Sequence, residues 1–244
     1  MFKSFIWKPE YFNSVVVLST FIVGYFLYWF LSNSSLLVSF CKKNFGGEKT
    51  QSVNILLQRL IGTVFLGILP LSVVLGILPE NLSDFGIKPL KSIFVIYWIL
   101  GIYAILIPLI ISSSRKPGFY SIYPLIRQKK WNRKLITSNT VSWGIYLLAY
   151  EFLFRGFLLF GCIRSFGSWP SILINVSLYF CVHIPYGFWV SLGSIPLGIA
   201  LCISSIHTGT IWVAFFVHLL VALLNDYTAL RANPEISVEK KAAH

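Results

Sequence analysis

Charge is scarce in this sequence, and most of it is positive. Only 11% of the 244 residues are charged, and the sequence contains eight acidic residues against 20 lysines and arginines. Soluble proteins carry about 25% charged residues, so the shortage excludes an ordinary soluble domain. The basic excess does not indicate nucleic-acid binding, because these residues fall in short loops between apolar runs, where they set topology and contact lipid headgroups.

Several signatures of metal and nucleophile sites are also missing. The four cysteines show no C-x-x-C spacing, so we expect them to pack as small apolar residues. The H-E-x-x-H helix of zinc proteases and the G-x-S-x-G turn of serine hydrolases are both absent from the sequence. A site without a cofactor is therefore predicted. Zinc bound by His183, His218 and Glu151 is the less favoured alternative.

What the chain has instead is a series of apolar runs, and 56% of its residues are hydrophobic. The runs predict an all-α polytopic membrane bundle of about seven transmembrane helices, at residues 14–31, 60–78, 92–111, 141–162, 171–184, 188–206 and 211–224. No segment has the pattern of a β-strand. Arg59, at the edge of the second run, is expected to snorkel to the interface.

The runs and loops divide the chain into three regions. Residues 1–139 hold the N-terminal spans and a basic loop, residues 140–226 hold the polar motifs, and residues 227–244 form a polar tail. Positive loops favour the cytoplasmic side. Seven spans then place the N-terminus outside and the C-terminus inside, because the most basic loop carries Arg115, Lys116, Arg127, Lys129, Lys130, Arg133 and Lys134.

Polar residues recur inside the later runs. Glu151 is the only acidic residue that falls deep in a predicted span, and such a carboxylate indicates a functional site. Arg155 lies one helical turn later and can neutralise it, so a purely structural ion pair is the other interpretation. His183 lies in the fifth run, and His218 and Asn225 share a face in the seventh, as residues seven apart do on a helix. One shared polar cavity is predicted.

This set of side chains fits hydrolysis inside the membrane, which needs a base for water and donors for an oxyanion. A small transporter would also place polar groups at mid-bilayer, but it predicts two related halves with broken helices. The sequence contains no such repeat.

Three ordered stretches within residues 140–226 resemble the CPBP family, the CAAX-protease and bacteriocin-processing (Abi) membrane proteins. Residues 150–155, Y-E-F-L-F-R, match the family motif E-E-x-x-x-R except at its leading Glu. Residues 179–183, Y-F-C-V-H, match F-x-x-x-H with Tyr for Phe, and residues 218–222, H-L-L-V-A, match H-x-x-x-N at the His alone. The T-G-T-I-W lead-in at residues 208–212 is also similar to the family.

The resemblance implies a glutamic-type intramembrane endopeptidase that cleaves a membrane-associated protein or peptide near the cytoplasmic face, in the bacterial inner membrane. It implies that His183 activates water and that His218 stabilises the oxyanion, while Glu151 and Arg155 form a supporting ion pair. Tyr150 occupies the position of the leading Glu.

Two departures from the motifs leave a second function open. A phenol with an ordinary pKa of about 10 is a poor base, and Ala222 stands where the family has an oxyanion-stabilising Asn. Glu151 as the base and Asn225 as the donor would compensate for these two changes. Without such compensation the chain would be a pseudoprotease, acting as a membrane scaffold, binding or immunity-type protein.

Overall fold

A computed structural model describes residue 9 and residues 11–116 and 118–238, and within this part the chain is almost entirely helical. The α-helices are α1 Tyr11–Ser32, α2 Ser35–Asn44, α3 Glu48–Gly62, α4 Leu69–Gly76, α5 Ile93–Ser113, α6 Phe119–Ile122, α7 Arg133–Glu151, α8 Leu159–Phe166, α9 Ser168–His183, α10 Phe188–Thr208 and α11 Trp212–Ala232. The predicted all-α fold is confirmed.

Two π-helical segments each connect a pair of α-helices into one continuous helix. Thr63–Ile68 joins α3 to α4, and Phe152–Leu158 joins α7 to α8. Short 3₁₀ turns at Leu82–Phe85 and Ile184–Tyr186 lie in the connections before α5 and α10. Single π-helical turns occur frequently at functional sites, and the second segment follows directly after Glu151.

Six helical segments among the described residues are long and apolar enough to cross a membrane: α1, α3 through α4, α5, α7 through α8, α10 and α11. The predicted fifth run corresponds to α9, whose 16 residues extend about 24 Å at 1.5 Å per residue. That length is less than the roughly 30 Å of the hydrocarbon core. The helical membrane bundle is therefore confirmed, whereas a seventh crossing depends on α9 and stays a prediction.

A small sheet corrects the expectation that no segment is extended. Lys130–Trp131 pairs in parallel with Ser237–Val238, and the amide of Ser237 donates to the carbonyl of Lys129 at 2.8 Å. The segments before α7 and after α11 leave the bundle side by side, so their backbone groups satisfy one another. Trp131, the second residue of the first strand, is fully buried.

The helix that carries the first motif is the most enclosed part of the protein. Residues 150–159 are all buried, and small residues on a neighbouring helix allow this close packing. A Cβ added at Gly62 would lie 2.4 Å from the ring of Tyr146, and one added at Gly67 would lie 2.7 Å from Cβ of Ala149. The register of the motif helix therefore depends on these two glycines.

The ends of the bundle carry different charges. The start of α3 contacts the basic loop, because Gln51 accepts from the amide of Arg127 at 2.6 Å and Glu48 accepts from that of Lys129 at 3.0 Å. At the opposite end, Arg164 pairs with Glu80 at 2.5 Å, and Asn13 donates to the same carboxylate. The start of α3, which follows Lys42 and Lys43, therefore lies at the same end of the bundle as the most basic loop.

A buried polar network at the basic end corrects two expectations. Arg59 does not reach the interface: it is only 4% exposed and donates to Asn139 Oδ1 at 2.9 Å and to Ser142 at 2.7 Å. Asn139 in turn donates to Asp226 Oδ2 at 3.1 Å. Asp226 is fully buried, so Glu151 is not the only acidic residue deep in the bundle.

The orientation of these two ends in the membrane is testable with single cysteines. Lys91 and Lys130 are both exposed and lie at opposite ends. In a Cys181→Ser background, which removes the only exposed native thiol among the described residues, Lys91→Cys should react with an impermeant maleimide in intact cells. Lys130→Cys should react only after permeabilisation, and the reverse pattern would contradict the assigned topology.

Close packing against the motif helix predicts a stability difference between two glycines. Gly67→Ala forces an overlap with Ala149, and overpacking of this kind costs roughly 1–3 kcal/mol. Gly101→Ala is the matched control, because a Cβ there meets nothing within 4 Å. Thermal unfolding in detergent should show a lower midpoint for Gly67→Ala only. Equal midpoints would mean that the helices carrying Gly67 and Ala149 can move apart without a loss of stability.

Candidate active site

A cavity of about 240 Å³ lies between α1, α7, α9, α10 and α11 and the segment around Tyr123. No aspartate, glutamate, lysine or arginine lines it. Its walls are mainly aliphatic and aromatic, with Tyr25, Tyr28, Trp29, Tyr123, Trp143, Tyr146, Tyr150, Tyr179 and Tyr186. The cavity therefore extends beyond the fourth, fifth and seventh predicted spans, since the first and sixth also contribute walls.

Four of the six residues predicted for the site line this cavity: Tyr150, His183, His218 and Asn225. Glu151 and Arg155 do not line it and have no exposed surface. They lie behind His218, and the structure thus places the six residues in two layers. The inner layer can touch a substrate, and the outer layer can only act through the inner one.

The Glu151 carboxylate is divided between two partners. Its Oε1 is hydrogen-bonded to Nδ1 of His218, and its Oε2 lies 3.2 Å from Nη1 of Arg155, one helical turn along the same helix. A buried charge is costly unless it is paired, and both pairings are present. The predicted ion pair exists, but it accounts for only one of the two carboxylate oxygens.

Arg155 is held by its ion pair with Glu151 and by an aromatic ring. The guanidinium carbon lies 4.2 Å from the centre of the Tyr179 ring, and the side chain is fully buried. A cation over an aromatic face is stabilised by the ring quadrupole, and the contribution grows when water is excluded. Arg155 thereby links the first and second motifs.

His183 ends α9 and turns its ring into the cavity. Its Nδ1 lies 2.7 Å from the carbonyl oxygen of Tyr179, and its ring is centred 4.3 Å from the ring of Tyr179. A carbonyl oxygen only accepts hydrogen bonds, so Nδ1 carries the proton and Nε2 keeps a free lone pair. His183 therefore faces the cavity with a nitrogen that can accept a proton.

Tyr150 lies beside His218 on the opposite wall. The two rings meet edge to face, with centroids 5.5 Å apart and planes at 83°. The phenol hydroxyl makes no hydrogen bond to any residue in the described part of the chain. A hydrogen-bond donor is therefore available at the position of the family's leading Glu.

Two carboxamides lie on α9 and α11, and only one of them lines the cavity. Asn175 does not line the cavity: it is fully buried and donates to the carbonyl of Phe154 at 2.5 Å. Asn225 lines it and lies beside Tyr123. It also lies seven residues from His218, about 10 Å along the helix. Ala222 lines the cavity between them and supplies no donor.

Among the described residues, no three His, Cys, Asp or Glu side chains are close enough together to hold a metal ion. Both oxygens of Glu151 already contact His218 and Arg155. The residues of the zinc alternative thus do not form a set of three free ligands.

Fold and cavity together define a polytopic membrane protein with a histidine-lined site. Residues 135–224, which run from the first turn of α7 into α11, match the family model of type II CAAX prenyl endopeptidase Rce1-like proteins. The match confirms, for this part of the chain, the similarity to the CAAX-protease family that the three motifs predict. The match includes every predicted site residue except Asn225. No curated protein and no solved structure matches the chain.

Sequence reasoning missed the cavity walls supplied by α1 and α10. Tyr25, Tyr28 and Ser194 line the cavity but belong to no motif, and an apolar run with scattered tyrosines gives no sign of which helix it packs against. No sequence signal identifies these walls; Asp226, the acidic residue after Asn225, indicates only the separate network with Asn139.

The buried pair predicts coupled effects on stability. Glu151→Gln strands the Arg155 cation and Arg155→Met strands the carboxylate, and breaking one side of a buried pair costs roughly 3–5 kcal/mol. The double variant should recover much of that loss. The measurement is thermal unfolding of the two single variants, the double variant and the unaltered protein.

Additive losses in the double variant would show that the two side chains do not depend on each other. Full recovery is not expected, because Glu151 also holds His218. Normal stability of Glu151→Gln would contradict the structural role of the pair altogether.

Proposed function

We propose that the chain is an active intramembrane endopeptidase that hydrolyses a peptide bond of a membrane-associated substrate. The observation that carries the proposal is the placement of His183 and His218 on one cavity, each with Nδ1 engaged. Two imidazoles that present Nε2 to the same space can hold and deprotonate one water molecule. The family's activity fits this arrangement.

The substrate class follows from the cavity lining and from the family. A cavity with no charged wall excludes strongly charged side chains, because these would lose their hydration without gaining a partner. We infer that it takes a segment with uncharged, apolar side chains, such as that of a prenylated C-A-A-X peptide. Cleavage near the cytoplasmic face of the bacterial inner membrane belongs to the same proposal.

A pseudoprotease is the second candidate, and two specific positions favour it. Tyr150 replaces the leading Glu of the first motif, and Ala222 replaces the Asn of the third. In that case the cavity would bind a peptide or lipid-modified segment without cleaving it. Binding with no turnover would identify this function.

Cleavage of an internally quenched, farnesylated C-A-A-X peptide in proteoliposomes tests the proposal. The unaltered protein should cleave the peptide, and His183→Ala should reduce kcat/KM by about 100-fold or more, because the water would lose one of the two groups that hold it in position. His207→Ala is the matched control, because His207 contacts Trp98 at 2.9 Å and does not line the cavity. Equal rates for His183→Ala and the unaltered protein would contradict the assignment.

A further inference from the structure

We propose that His218, positioned by Glu151, is the base that activates water, and that the Tyr150 hydroxyl is the oxyanion donor. This inference rests on the proposed peptidase function and assigns the roles within its site. It differs from the roles that the motifs imply, in which His183 is the base and His218 stabilises the oxyanion.

The partners of the two imidazoles distinguish them. His183 Nδ1 donates to a neutral backbone carbonyl, whereas His218 Nδ1 donates to a buried carboxylate. When Nε2 takes a proton the ring becomes cationic, and a carboxylate on Nδ1 stabilises that cation and fixes the ring orientation. Hydrogen bonds to a charged acceptor are roughly twice as strong as neutral ones. His218 is therefore the better base.

The tautomer of His218 points to the same role. An ionised carboxylate can only accept, so Nδ1 carries the proton and Nε2 has the lone pair. A neutral His218 in this form cannot donate a hydrogen bond from Nε2 to an oxyanion. Glu151 acts as a positioning residue, since it is sealed from the cavity and reaches the substrate only through His218.

Tyr150 supplies the donor that this arrangement needs. Its ring meets His218 edge to face at 5.5 Å, it lines the cavity, and its hydroxyl has no hydrogen-bond partner among the described residues. Asn225 is about two helical turns from His218 and lies beside Tyr123. The phenol is thus the better placed replacement for the amide that Ala222 lacks.

The step balances with water as the only co-reactant. Water bonds to the carbonyl carbon as one of its protons passes to His218 Nε2, while His183 Nε2 accepts a hydrogen bond from the other. The carbonyl electron pair moves to oxygen, which accepts a hydrogen bond from Tyr150. The carbonyl then re-forms, the C–N bond breaks with its electron pair on nitrogen, and His218 returns the proton to the leaving amine.

Chemical rescue with the farnesylated peptide separates a base from a donor. His218→Ala should lose cleavage and regain it with 1-methylimidazole at mildly alkaline pH, where this compound has a lone pair but no N–H. Pyrrole, which has an N–H but no basic lone pair, should not rescue. Rescue by pyrrole alone, or rescue by 1-methylimidazole of His183→Ala alone, would overturn the inference while leaving the peptidase function intact.

Tyr150→Phe tests the donor with the ring retained. We expect kcat to fall by about 100- to 1000-fold, as for the loss of one oxyanion donor, with KM little changed, because the interaction forms only in the transition state. Unchanged kcat would overturn the donor role. A parallel rise in KM with no change in kcat would assign Tyr150 to substrate binding and would also overturn it.

Failure to cleave the farnesylated peptide would overturn the proposed substrate. The roles of the two histidines can then still be tested by a measurement that needs no turnover. Nitrogen-15 NMR of histidine-labelled protein, assigned with His218→Ala, reports which ring nitrogen is protonated. We expect a protonated Nδ1 and a free Nε2 at His218 in the resting protein. A protonated Nε2 on the neutral ring would overturn the base assignment.

Discussion

The site depends on one buried carboxylate. Glu151 has no exposed surface, and it is stabilised by Arg155 on one oxygen and His218 on the other. This charge connects three elements, because Arg155 stacks on Tyr179 of α9 and His218 belongs to α11. Removing Glu151 or Arg155 leaves the other charge buried without its partner, so the chemistry of the cavity and the stability of the bundle share the same contacts.

Helix packing makes that arrangement possible. Gly62 and Gly67 let the motif helix approach its neighbour closely, and in the lipid environment such contacts replace the hydrophobic effect as the force between helices. The π-helical segment Phe152–Leu158 follows Glu151 directly. A π turn changes the direction of the side chains after it, and Arg155 lies within it while still meeting the carboxylate.

A second buried network lies at the basic end of the bundle. Asp226 accepts from Asn139, from the Trp143 indole at 2.8 Å and from the amide of Leu125 at 3.4 Å. Trp143 and Leu125 also line the cavity, so the network supports the wall opposite the histidines. Burial, helped by the charge of Asp226, raises the pKa of Tyr123 to about 12, which keeps this phenol protonated for its contact with Asn225.

Much of the fold followed from composition and apolar runs, since a long apolar helix in lipid must satisfy its own backbone. The runs did not show that α3 begins at Glu48 or that α11 continues to Ala232, because the added turns carry polar residues that are buried against other segments. Arg59 was expected at the interface for a related reason. An arginine at the end of an apolar run gives the same sequence pattern whether its side chain reaches water or hydrogen-bonds to a buried partner such as Asn139.

For the site, four-residue spacing was enough to predict the Glu151–Arg155 pair, and three ordered motifs were enough to predict the family. The bond from His218 to Glu151, the free Tyr150 hydroxyl and the walls from α1 and α10 were decided only by tertiary structure. Spacing reports which residues share one helical face. Spacing contains no information on which faces of different helices pack together. In this protein that packing determines that His218, and not His183, is paired with the carboxylate of Glu151.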